Sequence, residues 1–185
     1  IFLPLLGGGR IRLVSRDAVN DGAQLRGILQ DEPVTYLQAT PSTWKILLKS
    51  GWESHPGLTM LCGGEAMPVA LANQLTAGGG RLWNCYGPTE TTVWSTYECV
   101  EPGADRITIG RPIANEKAYI LDGRLQPVPI GVTGVLYIGG PGVSRGYLNR
   151  DDLTRERFIA DPFSPEPGAI LYDTGDLARF RADGR

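Results

Sequence analysis

The residues best equipped for chemistry in this chain sit in one short stretch, Tyr86-Gly87-Pro88-Thr89-Glu90-Thr91-Thr92. Tyr86 offers a flat aromatic face on which a base can stack. Gly87-Pro88 bends the chain sharply and lets backbone approach a ligand closely. The hydroxyls of Thr89, Thr91 and Thr92 suit phosphate oxygens, and Glu90 brings one hard carboxylate suited to Mg2+. Aromatic face, hydroxyls and carboxylate together suit a nucleotide with its metal. An ordinary turn carrying a solvated glutamate would use the same residue types.

Composition narrows the field. The 185 residues hold 18 Lys+Arg against 20 Asp+Glu, a net charge of -2. No run of like charge is long enough for a nucleic-acid backbone, so no nucleic-acid partner is expected. His55 is the single histidine, which excludes multi-histidine metal sites and leaves little room for a Ser-His-Asp hydrolase. Cys62, Cys85 and Cys99 are odd in number and lack C-x-x-C spacing. That argues against a disulfide framework or zinc site and for a reducing cytoplasm. Ile1 to Leu6 is apolar but follows no basic segment and runs into Gly7-Gly8-Gly9. It reads as the tail of a cut element rather than a signal peptide or membrane span, and the chain as an excerpt of a longer protein.

The elements that must position the turn follow from periodicity. Asp21 to Gln30 has helical spacing and is ended by Pro33. Val34 to Ala39 reads as a strand. Thr40-Pro41 then supplies an N-cap and a first-turn proline for a helix over Ser42 to Lys49, closed by Gly51. The cycle repeats: a strand over Leu58 to Cys62, a helix from Pro68 to Leu75, and a strand over Arg81 to Cys85. This rhythm predicts parallel βαβ units. In an open parallel sheet, ligands bind outside the carboxyl ends of the strands. The turns at Gln38-Ala39-Thr40, Cys62-Gly63-Gly64-Glu65 and Asn84 to Thr92 would therefore share one rim.

Beyond Ile107 the texture changes to short β-type runs, Lys117 to Leu121, Gly134 to Ile138 and Ile170 to Tyr172, with one helix near Asp151 to Phe158. The fold class expected is α/β: a parallel βαβ half-sheet over residues 1–104, then a small β-rich, barrel-like subdomain over 105–185.

Three ordered stretches carry a family resemblance. Asn84-x-Tyr86-Gly87-Pro88-Thr89-Glu90 resembles the nucleotide-binding signature of adenylate-forming enzymes, specifically adenylation domains of nonribosomal peptide synthetases. Gly134 to Leu148, with Gly139-Gly140-Pro141-Gly142, resembles their glycine-rich motif, and Tyr172-Asp173-Thr174-Gly175-Asp176-Leu177 resembles their Y-x-T-G-D-L motif. Ile109-Gly110-Arg111-Pro112-Ile113 matches the usual connecting phrase, so the similarity covers essentially the whole chain. An acyl- or aryl-CoA synthetase of the same superfamily and a non-catalytic nucleotide-binding module are the other readings. Thr40-Pro41-Ser42-Thr43-Trp44 and the Tyr172 motif favour the peptide-synthetase branch.

The resemblance implies a set of roles. Tyr86 stacks on adenine; Asn84 and the Cys85 backbone address its polar edge; Gly63, Gly64 and Glu65 form the opposite wall. Gly87 gives close backbone approach, Thr89 contacts the α-phosphate, Glu90 holds Mg2+, and Asp176 binds the ribose hydroxyls. Arg145 and the Gly139–Gly142 loop are structural. ATP/AMP and Mg2+ are the implied cofactors. The implied partners are an amino acid, a peptidyl carrier protein bearing the phosphopantetheine thiol, and condensation domains. A phosphate loop and an amino-binding aspartate would lie upstream of Ile1, and a hinge and catalytic lysine would follow Arg185, so the excerpt alone is expected to be inactive. Gln38, Leu61, Gly63, Cys85, Val93 and Trp94 match the family's substrate pocket. Trp94 would plug that pocket in favour of glycine, whereas Gly63 would open space and Cys85 is smaller than the aliphatic residue expected there.

Overall fold

A computed structural model describes residues 2–185. Ile1 lies outside the described residues, and the apolar stretch after it begins with a short helix, α1 (Phe2–Leu6). α2 (Arg16–Asn20) and α3 (Gly22–Asp31) follow, the second capped by the Asp21 carboxylate, which accepts from the backbone N–H groups of Ala23 and Gln24. β1 (Tyr36–Ala39) leads into α4 (Pro41–Lys49), where Thr40 Oγ1 accepts from Thr43 N and Pro41 occupies the first turn, as the sequence predicts. β2 (Thr59–Gly63), α5 (Val69–Thr76) and β3 (Arg81–Tyr86) complete the alternation.

β1, β2 and β3 are parallel and in sequence order, with Gln38 beside Leu61 and Gly63 beside Cys85. Their carboxyl ends therefore share one rim. Two further strands extend this sheet antiparallel to β3: β4 (Thr96–Val100) and β5 (Arg111–Pro112). Neither was anticipated from the sequence, because Glu98 interrupts the apolar run of one and the other has only two residues. Residues 105–112, grouped by sequence with the second half, thus close onto the first sheet.

One face of that sheet packs against α3, α4 and α5. Leu25, Trp44, Leu47, Met60, Cys62, Leu71, Leu75 and Leu82 form its buried core. Trp44, Leu47, Met60, Leu75 and Leu82 are wholly buried, and each contributes roughly 1.5–3 kcal/mol relative to exposure. Strand alternation places Gln38, Leu61, Gly63, Trp83 and Cys85 on the opposite face.

The second sheet is antiparallel, in the order β6 (Lys117–Leu121), β7 (Gly134–Gly139), β9 (Ile170–Ala178), β8 (Phe158–Ala160). α6 (Asp151–Arg157) ends one residue earlier than its sequence signal, because Phe158 starts β8 and packs its ring on Tyr147 and Tyr172. β9 runs well past Tyr172, so the whole Tyr172–Leu177 motif lies on a strand. A register shift opposite Val135–Tyr137 accompanies the left-handed Gly175, at φ +74.

Candidate functional site

β3 ends at Tyr86, and the chain turns through Pro88 into a single 3-10 turn, Thr89–Thr91. Thr91 is buried and locks the turn: its Oγ1 donates to Pro88 O at 3.2 Å and lies 2.5 Å from Ser95 Oγ. Thr92 and Val93 then adopt left-handed backbone, φ +61 and +72. Two successive β-branched residues there are strained, at a cost of order 1–3 kcal/mol each. The strained pair leaves Val93 59% exposed and brings the chain back so that Trp94 packs on Gly63. A Cβ built on Gly63 would lie 2.5 Å from Trp94 Cζ3. The room that Gly63 was expected to open is therefore taken by the Trp94 indole.

Tyr86 reaches across to the second sheet. Its hydroxyl donates to Asp176 Oδ2 at 2.5 Å. Burial first, then the Asp176 acceptor and its charge, push the phenol up and keep it a donor. Asp176 is itself fixed, because its backbone N–H donates to Thr174 Oγ1 at 3.0 Å and that hydroxyl donates to Leu136 O at 2.8 Å. The stacking face and the exposed carboxylate named from separate motifs thus meet.

Glu90 lies near enough for its charge to raise the Tyr86 phenol. Burial opposes ionisation of Glu90. Hydrogen bonds from the Tyr147 hydroxyl (2.6 Å to Oε1), its own backbone N–H and Tyr172, with the Arg157 charge, outweigh that and hold the carboxyl below the usual glutamate range. Tyr147 and Tyr172 hydroxyls are 3.4 Å apart. A divalent cation fits this donor set on one condition. No cluster of three His, Cys, Asp or Glu side chains occurs among the described residues. An ionised Glu90 beside the exposed Thr89 is suited to a Mg2+ ion that takes most of its ligands from substrate phosphates and water.

The remaining expected residues divide. Gln38, Leu61, Gly63 and Cys85 share the sheet face opposite the helices, with Trp94 over Gly63. Burial pushes the Cys85 thiol up to about 11, so it lines this face as a neutral group. Asn84 sits on the other face of β3, where its amide donates to Thr108 O at 2.6 Å. Gly64 is left-handed at φ +84, and Glu65 accepts from Ser42 in the first turn of α4 at 2.7 Å. Gly87 abuts Val93 and Trp94, leaving no room for a side chain. Arg145 is exposed. The site is an open rim: cavities of about 250 Å3 and 600 Å3 lie elsewhere, beside Glu98 and Arg185 and at the C-terminal ends of α4 and α5.

Sequence reasoning missed Tyr147, Tyr172, Thr174 and Trp83. The first three stood inside recognised motifs, where only their contacts to Glu90 and Asp176 distinguish them. Trp83 lies beside Leu61, and its ring meets Tyr97 edge-on at 5.3 Å.

A family model described as AMP-binding enzyme matches residues 1–148. The dimodular nonribosomal peptide synthase of Bacillus subtilis is 45% identical over 185 residues, covering 100% of this chain and 8% of that protein. Malpibaldin synthetase of Mortierella alpina is 43% identical over 191 residues, covering 100% of this chain and 3% of that protein. The chain therefore spans less than a tenth of these relatives' length. Among solved structures, holo-AB3403, a four-domain nonribosomal peptide synthetase bound to AMP and glycine, superposes with a TM-score of 0.92 at 46% identity, covering 99% of this chain and 14% of that one. CmiS6 gives a TM-score of 0.87 at 29% identity, covering 99% and 46%. Rim, motifs and family match together place the chain in the AMP-binding enzyme family, on its nonribosomal peptide synthetase branch.

Proposed function

We propose that these residues are the nucleotide- and substrate-facing part of an adenylation domain that activates glycine. A glycine carboxylate oxygen bonds to the α-phosphorus of ATP while the bond to pyrophosphate breaks, giving glycyl-AMP. A carrier-protein phosphopantetheine thiol then takes the acyl group as a thioester and releases AMP. The amino acid supplies the nucleophile, so no serine or cysteine nucleophile is required.

In this reading Tyr86 stacks on the adenine, and Asp176 accepts from the ribose hydroxyls through the oxygen not engaged by Tyr86. Asn84 keeps its side-chain oxygen for the adenine edge while its amide holds Thr108. Thr89 orients the α-phosphate, and Glu90, held ionised, retains Mg2+. When bound, Mg2+ neutralises charge developing on the phosphates. In this reading Trp94, seated over Gly63, takes the space that a larger substrate side chain would need.

The observation that carries the reading is the Tyr86–Asp176 hydrogen bond where the two sheets join, with Glu90 in the 3-10 turn that directly follows Tyr86 and held there by Tyr147. The preference for glycine is supported by Trp94 on Gly63 and by the glycine-bound relative. The test is ATP–pyrophosphate exchange by the full-length protein. Exchange dependent on glycine and weaker with alanine is expected, and the 185 residues alone should give none. Exchange with fatty or aryl acids and transfer to coenzyme A would overturn it.

A further inference from the structure

The glycine-rich loop that follows β7 is held by an acid that no step above uses. Glu116, in the link between the sheets, accepts the Gly142 N–H through Oε1 at 2.8 Å. Its Oε2 is buried and accepts no hydrogen bond among the described residues. Burial pushes this carboxyl up, against the lowering effect of the Gly142 bond. Keeping an acid there costs free energy.

The carboxylate lies between two glycines. A Cβ on Gly140 would lie 3.0 Å from Glu116 Oε2 and 2.6 Å from Asn115 O, and one on Gly142 would overlap Glu116 Oε1. The other side of Gly142 is tied as well, since Thr92 Oγ1 donates to its carbonyl at 2.7 Å. Two residues on, Ser144 N donates to Glu90 O at 2.7 Å, and Tyr147 from the same loop donates to the Glu90 carboxylate. Glu90 is therefore gripped at backbone and side chain by a loop whose position depends on Glu116.

We propose that Glu116 is a positioning residue: by holding the Gly142 N–H it sets the loop that aims the Glu90 carboxylate at a divalent cation. This rests on the assignment of Glu90 as the Mg2+ carboxylate. Glu116 touches neither nucleotide nor metal and acts through Gly142, Ser144 and Tyr147.

The test titrates Mg2+ calorimetrically into the full-length protein holding a bound non-hydrolysable ATP analogue. Glu116→Ala should weaken Mg2+ binding by roughly tenfold or more, as loss of such supporting contacts does elsewhere. Glu116→Gln keeps an acceptor for Gly142 and should stay within about twofold of the parent. Ser54→Ala, which removes a buried hydrogen bond to Leu75 O remote from the site, should lower thermal stability without changing Mg2+ affinity. Should Glu116→Ala not fold, Thr92→Val cuts the other tether of Gly142 and must weaken Mg2+ in the same way. Unchanged Mg2+ affinity in Glu116→Ala (or, if that variant does not fold, in Thr92→Val), while Glu90→Ala abolishes it, overturns the role of Glu116 alone. Unchanged affinity in Glu90→Ala overturns the metal assignment on which it rests.

Discussion

The hydroxyl of Tyr86 donates to Asp176 Oδ2 at 2.5 Å, joining the third strand of one sheet to the long strand of the other across 90 residues of sequence. The bond ties the proposed adenine platform to the proposed ribose acceptor before any ligand arrives. Part of the ordering cost of binding is thereby met in the fold.

Removing that hydroxyl separates stacking from positioning. Tyr86→Phe should weaken AMP binding about fivefold, the worth of one hydrogen bond of about 1 kcal/mol. It should also narrow the preference for AMP over 2′-deoxy-AMP. Tyr86→Ala also loses base stacking, a further ~1–3 kcal/mol. Calorimetric titration of both variants with both nucleotides checks this; equal affinities in the two variants would contradict it.

Trp94 and Gly63 should behave as one unit. Trp94→Ala opens the face beside Leu61 and Cys85, so the preference for glycine over alanine should fall by about tenfold or more, the scale of one methylene's discrimination. Gly63→Ala drives a Cβ into the indole and into Cys85 O, and should cost ~1–3 kcal/mol as overpacking. The double variant should recover part of that loss. Pyrophosphate exchange and denaturant melts of the three variants measure both effects.

The left-handed Val93 offers a test of strain. Val93→Gly removes an exposed side chain from φ +72 and should stabilise the protein by roughly 1 kcal/mol. It should also loosen Trp94 and relax selection for glycine. A lower urea midpoint in this variant would show that the turn is not strained.

Alkaline stability follows from the thiols. Burial, with lesser contributions from Cys85 and Glu65, pushes Cys62 up to about 12, and burial pushes Cys85 up to about 11. A group whose folded pKa is raised stabilises below its unfolded pKa and loses that contribution as pH climbs toward the folded one. Stability should fall from about pH 9, through about pH 11 for Cys85 and about pH 12 for Cys62, as the unfolded thiols ionise first. Neither thiol should react with iodoacetamide at pH 8 in the native state. Cys62→Ala with Cys85→Ala should flatten the pH profile, and an unchanged slope would contradict this.

The parallel half of the fold was legible because its punctuation is local: Thr40-Pro41 starts a helix, glycines end elements, and short apolar runs make strands. β4 and β5 were not, because an antiparallel extension depends on the chain folding back through Thr92–Val93, a conformation β-branched residues rarely adopt. The candidate site residues Tyr86, Glu90 and Asp176 could be named from motifs. The bond between Tyr86 and Asp176 and the groups that hold Glu90 could not, since Tyr147, Tyr172 and Glu116 come to them only through distances between segments far apart in sequence. Gly63 shows the same limit: a glycine announces missing volume, and only packing reveals that an indole takes it.

The most direct measurement is where the adenine lies in a crystal of the full-length protein with glycyl sulfamoyl-adenosine. The expected result is a ring stacked on Tyr86, ribose hydroxyls on Asp176 and the glycyl carbon beneath Trp94. Adenosine bound away from Tyr86 and Asp176 would contradict the shared rim on which everything else depends.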